Sequence, residues 1–332
     1  MMMALDMVVG KDNCFSDFKI GWIAPTIETR QQAELARMEF KSLANLDFKF
    51  ACAAAQTDWS DRDFLITDEA HHCAKAVTWF TQVQSCNGSR WACTATPFGD
   101  DHERNSFLLK LFDNHILEIG RHEVAARLVP AVVRLLDATD AGLQKAMDYE
   151  IEMTMQRRRH WFKGEEWELR AQATWHVCIK RGIVGNQARN AKVVELAKKH
   201  AADSVLVLVN EIEHGKELAE RIPLAELCYS KMGKTKRADI LGAFKAGSVK
   251  CIVATSLADE GADFPRANVL IMVSGGRSEA KTIQRTGRVL RAFPGKTHGL
   301  IYDFRDRQHP MMERHANKRI ATYRRLGYRI EL

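Results

Sequence analysis

Residues 64–72 read FLITDEAHH, an apolar run too short for a typical helix followed by Asp68, Glu69, His71 and His72. Phe64, Leu65 and Ile66 suit a buried strand of a parallel sheet. The polar residues then fall at its carboxyl end, where open α/β sheets bind their ligands. A carboxylate fixed there, Asp68, can hold Mg²⁺, an ion that takes oxygen ligands and shares them with substrate phosphates. A second carboxylate beside it, Glu69, can orient or deprotonate a water. An acidic loop with a capping Asp explains the same letters, so the remainder of the chain has to decide. His71, His72 and Cys73 do not read as a structural zinc cluster, because consecutive side chains suit one ion poorly.

A second stretch with chemical potential is RRRHWFK (157–163), which interleaves cations with Trp161 and Phe162. Aromatic faces among basic side chains can stack the bases of a single strand. Trp161, Trp167 and Trp175 also fit the stripe of a packed helix, and packing is the reading preferred from sequence.

The elements that must position these groups follow from hydrophobic patterning. In the first 120 residues, KIGWIAP (19–25), FKFACAAA (48–55), FLIT (64–67) and WACTAT (91–96) read as strands, and residues 29–43 as an amphipathic helix with Ala33, Leu35, Ala36, Phe40 and Leu43 inward. Residues 121–190 have a basic, Trp-rich helical pattern and read as a helical connector or insertion. Alternation returns over 191–305 with SVLVLV, KCIVA, NVLIMV and GLIYDF as strands and 212–221 as a helix, and residues 306–332 form a short basic tail carrying Arg314, Lys318, Arg319, Arg324 and Arg325. Strands alternating with helices imply an α/β fold of two doubly wound parallel-sheet lobes joined by the helical segment.

Composition agrees with this. The chain has 332 residues, 46% hydrophobic and 27% charged, enough for two domains with their own cores. A formal net charge of +7 favours an anionic partner such as nucleic acid. The eight cysteines, scattered without a CxxC pair, point to reduced thiols in a cytoplasm. No apolar run reaches the roughly 18 residues of a membrane span, and the opening MMMALDMVVGKDN lacks the pattern of a signal peptide, so the expectation is a protein that is not secreted and has no membrane partner.

Taken together and in order from about Ile20 to Arg291, these stretches resemble the superfamily 2 helicases of the DEAD/DEAH type, closest to the branch with restriction-enzyme translocation subunits and phage repair helicases. That resemblance implies two RecA-like lobes and use of ATP and Mg²⁺ by a DNA-directed motor in a bacterial or phage-infected cell, RNA being the alternative substrate. DEAH (68–71) resembles the Walker B box, with Asp68 for the metal, Glu69 for the attacking water and His71 as a link to the rest of the motor. TATP (94–97) resembles the third helicase motif, whose Thr94 and Thr96 couple hydrolysis to movement; strand-end turn chemistry is the alternative. APT (24–26) resembles motif Ia, placing Pro25, Thr26 and Arg30 along a phosphate backbone. Asn210, in a stretch like motif four, and Thr255, in ATSLADEGADFP (254–265), which is like motif five, would also touch nucleic acid. Gly261 and Asp263 would approach the nucleotide. QRTGRVLR (284–291) resembles motif six, whose Gln284, Arg288 and Arg291 would reach the γ-phosphate, with Arg291 as arginine finger; a solvated basic helix is the alternative.

One part of the pattern is missing. VVGKDN (8–13) contains Gly10 and Lys11 but no following hydroxyl, and MGKTKR (232–237) contains a GKT triplet but has Cys228 where the first glycine of GxxxxGK[ST] belongs, so Lys234 reads as a surface residue. The expectation is a helicase lacking its N-terminal P-loop segment, with an incomplete first lobe and little or no ATPase activity alone. Three readings stay open: a complementing polypeptide supplies the P-loop, the chain is a non-catalytic module that grips nucleic acid or a partner, or the true chain starts further upstream.

Overall fold

A computed structural model describes residues 17–44, 46–74, 76–94, 101–113, 128–138, 140–255 and 264–331. The chain divides near residue 120 into two compact units, each built on its own parallel sheet.

The first unit contains β1 (Lys19–Ala24), α1 (Ile27–Met38), α2 (Lys41–Ala44), β2 (Asp47–Cys52), β3 (Phe64–Asp68), α3 (Val77–Ser85), β4 (Ser89–Cys93) and α4 (His102–Leu111). Its strands lie in the order β2-β1-β3-β4, every pairing parallel. Side chains alternate across the pleat. Ile23 and Leu65 therefore pack on one face with Trp59, Trp79 and Leu108, and Trp22 and Ile66 on the other with Ala33 and Leu43. Gly21 is required by this packing, since a Cβ there would stand 2.6 Å from the Trp59 ring.

The second unit contains β5 (Ala131–Leu136), α5 (Ala141–Arg158), α6 (Glu166–Val177), α7 (Gln187–Lys199), β6 (Val205–Leu208), α8 (Ile212–Arg221), β7 (Ala225–Cys228), α9 (Lys234–Ala246), β8 (Cys251–Ala254), β9 (Val269–Met272), α10 (Glu279–Val289), β10 (Gly299–Phe304), α11 (Pro310–Arg325) and β11 (Arg329–Glu331). The strand order is β11-β5-β10-β9-β6-β8-β7, again parallel throughout. Every residue of β6, β8, β9 and β10 is buried, as expected for strands with helices on both faces.

The structure corrects the sequence reading in two places. Residues 131–136, expected inside a helical connector, form β5 beside β10; the β-branched pair Val132 and Val133 gives this run its strand preference. The basic tail forms the helix α11 and is docked, with Met312, Ala316, Ile320 and Tyr323 buried and β11 paired to β5. The tryptophans do not form a core stripe. In α6 the buried face is Leu169, Ala173 and Val177, packed with Met147, Ile151 and Met155 of α5 and with Met312. Trp161, Trp167 and Trp175 are 69%, 69% and 42% exposed.

Beneath the carboxyl ends of β9 and β10 lies a buried charge network. Arg319 donates Nε to Asp303 Oδ2 at 2.8 Å and Nη2 to Oδ1 at 3.0 Å, while Tyr323 Oη donates to Oδ2 at 2.8 Å. Arg189 pairs with Asp306, donates Nη2 to the Val273 carbonyl at 2.9 Å and stacks 3.8 Å over the Phe304 ring. Removing one partner of a buried pair strands the other charge out of water. Asp303→Ala is therefore expected to cost about 3–5 kcal/mol in urea unfolding; an unchanged midpoint would show the network to be dispensable.

Candidate functional site

In the first unit the chemistry gathers at the carboxyl end of β3. Strand register sets Asp68 opposite Cys93 of β4, which brings Thr94 alongside the turn that follows Asp68. Asp68 Oδ1 accepts the Glu69 N–H at 3.0 Å. Glu69 takes φ +50°, the left-handed region that non-glycine residues avoid, and such strain clusters at functional positions. The chain then enters a single turn of 3₁₀ helix, Ala70–Ala74. His71 Nδ1 lies 3.0 Å from Thr94 Oγ1 and 3.3 Å from Glu69 Oε2. Asp68, Glu69, His71 and Thr94 therefore form one cluster.

Among the described residues two buried polar atoms of this edge make no hydrogen bond, Thr67 Oγ1 and Glu69 Oε2. Groups of that kind ask for a ligand or water. Burial, and then the neighbouring charge of Glu69, push the Asp68 carboxyl up to about 6. Both observations fit a cation carried by phosphates, which needs only one or two protein carboxylates. Among the described residues no group of three or more His, Cys, Asp or Glu side chains is arranged to hold a metal alone. The described cysteines are free, and burial raises Cys73 and Cys93 to about 12, so neither is a nucleophile.

In the same unit the residues expected to lie along a phosphate backbone have local partners. Thr26 caps α1, its side chain accepting from the Thr29 N–H at 3.2 Å while Thr29 Oγ1 accepts from the Thr26 N–H at 3.0 Å. Arg30 pairs with Glu34 one turn on, and Pro25 precedes the cap in a bend half-exposed to solvent.

In the second unit, Asn210 and Thr255 follow the neighbouring strands β6 and β8, in which Leu208 pairs with Ala254. Both therefore sit at the carboxyl edge of that sheet. Asn210 donates Nδ2 to the Ser274 carbonyl at 2.7 Å. The Ser274 hydroxyl in turn accepts Arg285 Nη1 at 2.6 Å, a contact that sequence analysis missed although Arg285 lies inside QRTGR. Gln284 and Arg288 are carried on α10, half-buried and buried respectively, and Arg291 is exposed just past its end. Lys296 donates to the Arg291 carbonyl at 2.9 Å and to that of Ala267 at 2.6 Å. Thr96, Gly261 and Asp263 lie outside the described residues.

The buried ion pairs were also missed. An Asp inside the apolar run GLIYDF was the available signal, because a carboxylate in a central strand must find a cation.

Comparison with known proteins finds helicases. Residues 188–293 match the helicase conserved C-terminal domain. The chain is 25% identical to a putative helicase of Sulfolobus islandicus filamentous virus over 74% of its length. It is 27% identical to a putative DNA 3'-5' helicase, Rad25, of Halobacterium salinarum over 82%. It spans only 42% and 41% of those relatives. Among solved structures, S. cerevisiae Dbp5 bound to RNA and ADP BeF3 superposes with a TM-score of 0.63 at 12% identity, over 99% of this chain and 82% of that one, a likeness of RecA-like fold. No helix among the described residues is long and apolar enough to cross a membrane.

The Asp68 carboxyl gives a pH test. Its folded value of about 6 exceeds its ordinary 3.8, so the folded state binds the extra proton between these values. The cost of burying the charge is fully present above pH 6 and fades as pH falls towards 4. Asp68→Asn should therefore stabilise the protein at pH 8 by on the order of 1–3 kcal/mol and by almost nothing at pH 4, read from urea midpoints. An equal effect at both pH values contradicts the assignment.

Proposed function

Because the chain belongs to the superfamily 2 helicases, we propose that it forms the motor of an ATP-dependent helicase or translocase that acts on DNA in the reducing cytoplasm. The observation that carries the reading is the β3 edge, where Asp68, Glu69, His71 and Thr94 meet and buried polar atoms lack partners. The preference for DNA over RNA follows the relative named as a DNA 3'-5' helicase.

Each residue has a task that its setting suits. Asp68 would hold Mg²⁺ arriving with ATP, and the ion would neutralise charge on the β- and γ-phosphates. Glu69 would accept a hydrogen bond from the attacking water and take its proton, a role supported by an Oε2 that makes no hydrogen bond among the described residues and has only His71 Nδ1 nearby at 3.3 Å. His71, within bonding distance of both Glu69 and Thr94, ties the state of that carboxylate to the end of β4. Gln284, Arg288 and Arg291 serve the γ-phosphate, where a positioned guanidinium is worth about 10³–10⁵ in rate. By the same resemblance, Pro25, Thr26 and Arg30 of the first unit and Asn210 and Thr255 of the second would each touch a nucleic-acid backbone; such contacts position a strand without reading its sequence. Gly261, Asp263 and Thr96 would serve the nucleotide.

No GxxxxGK[ST] stretch occurs in these 332 residues. The motor reading therefore needs that loop from chain outside them, either on a complementing polypeptide segment or further upstream. The same observation favours a second reading, a non-catalytic module that grips nucleic acid without turnover. ATP hydrolysis by the 332-residue chain with DNA, with and without a co-expressed segment carrying GxxxxGKT, separates them. The motor reading predicts no DNA-stimulated turnover alone, turnover with the segment, and a fall of about 10²–10⁴-fold in Glu69→Gln. Turnover by the chain alone that Glu69→Gln abolishes would overturn complementation, and no turnover in either case would favour the non-catalytic module.

A further inference from the structure

The second unit carries a groove of about 1580 Å³, larger than the roughly 300–1,000 Å³ of a small-molecule site. One wall is the α5–α6 hairpin. The other is the carboxyl edge of the sheet, where the chain turns through Gly275 and Gly276 at φ +59° and +97° before α10, together with the exposed face of α11. We infer that this groove binds single-stranded nucleic acid, with unpaired bases stacked on the aromatic side chains of the hairpin and the backbone held by the cations opposite. The inference rests on the helicase reading and adds a contact surface that lies outside the helicase-like stretches on the hairpin side.

Three observations converge on that occupant. The first is aromatic. Tyr149 of α5 and Trp167 and Trp175 of α6 all line the groove and all leave large rings open to solvent, while the opposite face of α6 is packed. Trp167 and Trp175 are eight residues apart, so they offer platforms roughly 12 Å apart along the helix axis. An exposed indole face accepts any base that is not already stacked in a duplex.

The second is charge. Arg277, Arg314 and Lys318 are exposed in the groove, and among the described residues they have no carboxylate partner. Two of the groove's three acids are paired, Glu152 with Arg170 at 2.7 Å and Glu211 with Lys180 at 2.8 Å, which leaves Asp148, 3.9 Å from a His309 that burial holds neutral, against the cations. The balance facing the void is positive, which suits phosphates.

The third is the histidine at the centre of this field. His315 lies 5.4 Å from the Trp175 ring. Burial, then the charges of Arg277, Arg319, Arg314 and Lys318, hold its pKa down at about 4. A polyanion laid in the groove would relieve those charges. The groove is also continuous with Asn210 and Arg285, so a strand reaching the sheet edge meets the hairpin without leaving the protein surface.

The test uses the full chain and fluorescein-labelled oligo-dT, oligo-rU and a duplex of equal length, followed by anisotropy and by quenching of tryptophan emission. Wild type is expected to bind the single strands with quenching. Trp167→Ala and Trp175→Ala should each weaken single-strand binding by about five- to a hundred-fold, with much smaller losses for the duplex. Trp167→Phe should restore most of the affinity, and because these rings are exposed, thermal unfolding should not move. Arg314→Ala with Lys318→Ala should reduce the slope of log K against log salt by roughly 0.7 for each lost contact. Variants that bind oligo-dT as wild type does, or that lose single strand and duplex equally, would overturn the groove and leave the helicase reading standing. A wild-type chain that binds no nucleic acid at all would overturn both.

Discussion

Two guanidiniums and two carboxylates held almost entirely out of water set the shape of the second unit. Arg189 and Arg319 cannot be left unpaired there, and neither can Asp303 and Asp306, because each stranded charge would cost several kcal/mol. Satisfying them fixes geometry. Arg319 joins α11 to the end of β10 and reaches the Gly276 carbonyl at 2.7 Å. Arg189 joins α7 to the last residue before Ser274. The turn after β9 is therefore clamped from two sides, and it is this turn that presents Ser274 to Asn210 and Arg285.

The first unit resolves its buried polarity differently. At the carboxyl end of β3, Asp68 and Glu69 sit side by side; among the described residues Thr67 Oγ1 makes no hydrogen bond, and Glu69 Oε2 makes none either, having only His71 Nδ1 nearby at 3.3 Å. A structural edge would satisfy these atoms as the Arg319 network does. This edge leaves them open and carries a raised Asp68 pKa and a left-handed Glu69, the pattern expected of a site rather than of a structural edge.

Much of this was legible in the sequence, for reasons that also mark where reading stopped. VLVL, CIVA and VLIM announce themselves because strands covered on both faces have no polar positions to disguise them, and GLIYDF does so despite its Asp303. β7 escaped notice because AELC buries only Cys228 fully, and β5 because a six-residue strand sat among helical patterns. Asp68, Glu69, His71 and Thr94 could be grouped because short stretches in a fixed order carry more information than any one of them. Arg189 and Asp306 could not, being 117 positions apart in the chain. The tryptophans were misread for a plain geometric reason: a helical period says that a stripe exists, but Trp167/Trp175 and Leu169/Ala173/Val177 are both stripes, and only the packed structure shows which one is covered.

If the carboxyl edge of the second sheet is where nucleic acid is held, hydrogen–deuterium exchange of the full chain with and without single-stranded oligonucleotide tests that placement directly. The account predicts slowed exchange over residues 274–285 and along the hairpin helix at 166–177. Protection confined to the amino-terminal edge of the same sheet, around residues 200–205 and 248–251, with the turn after β9 unchanged, would contradict it.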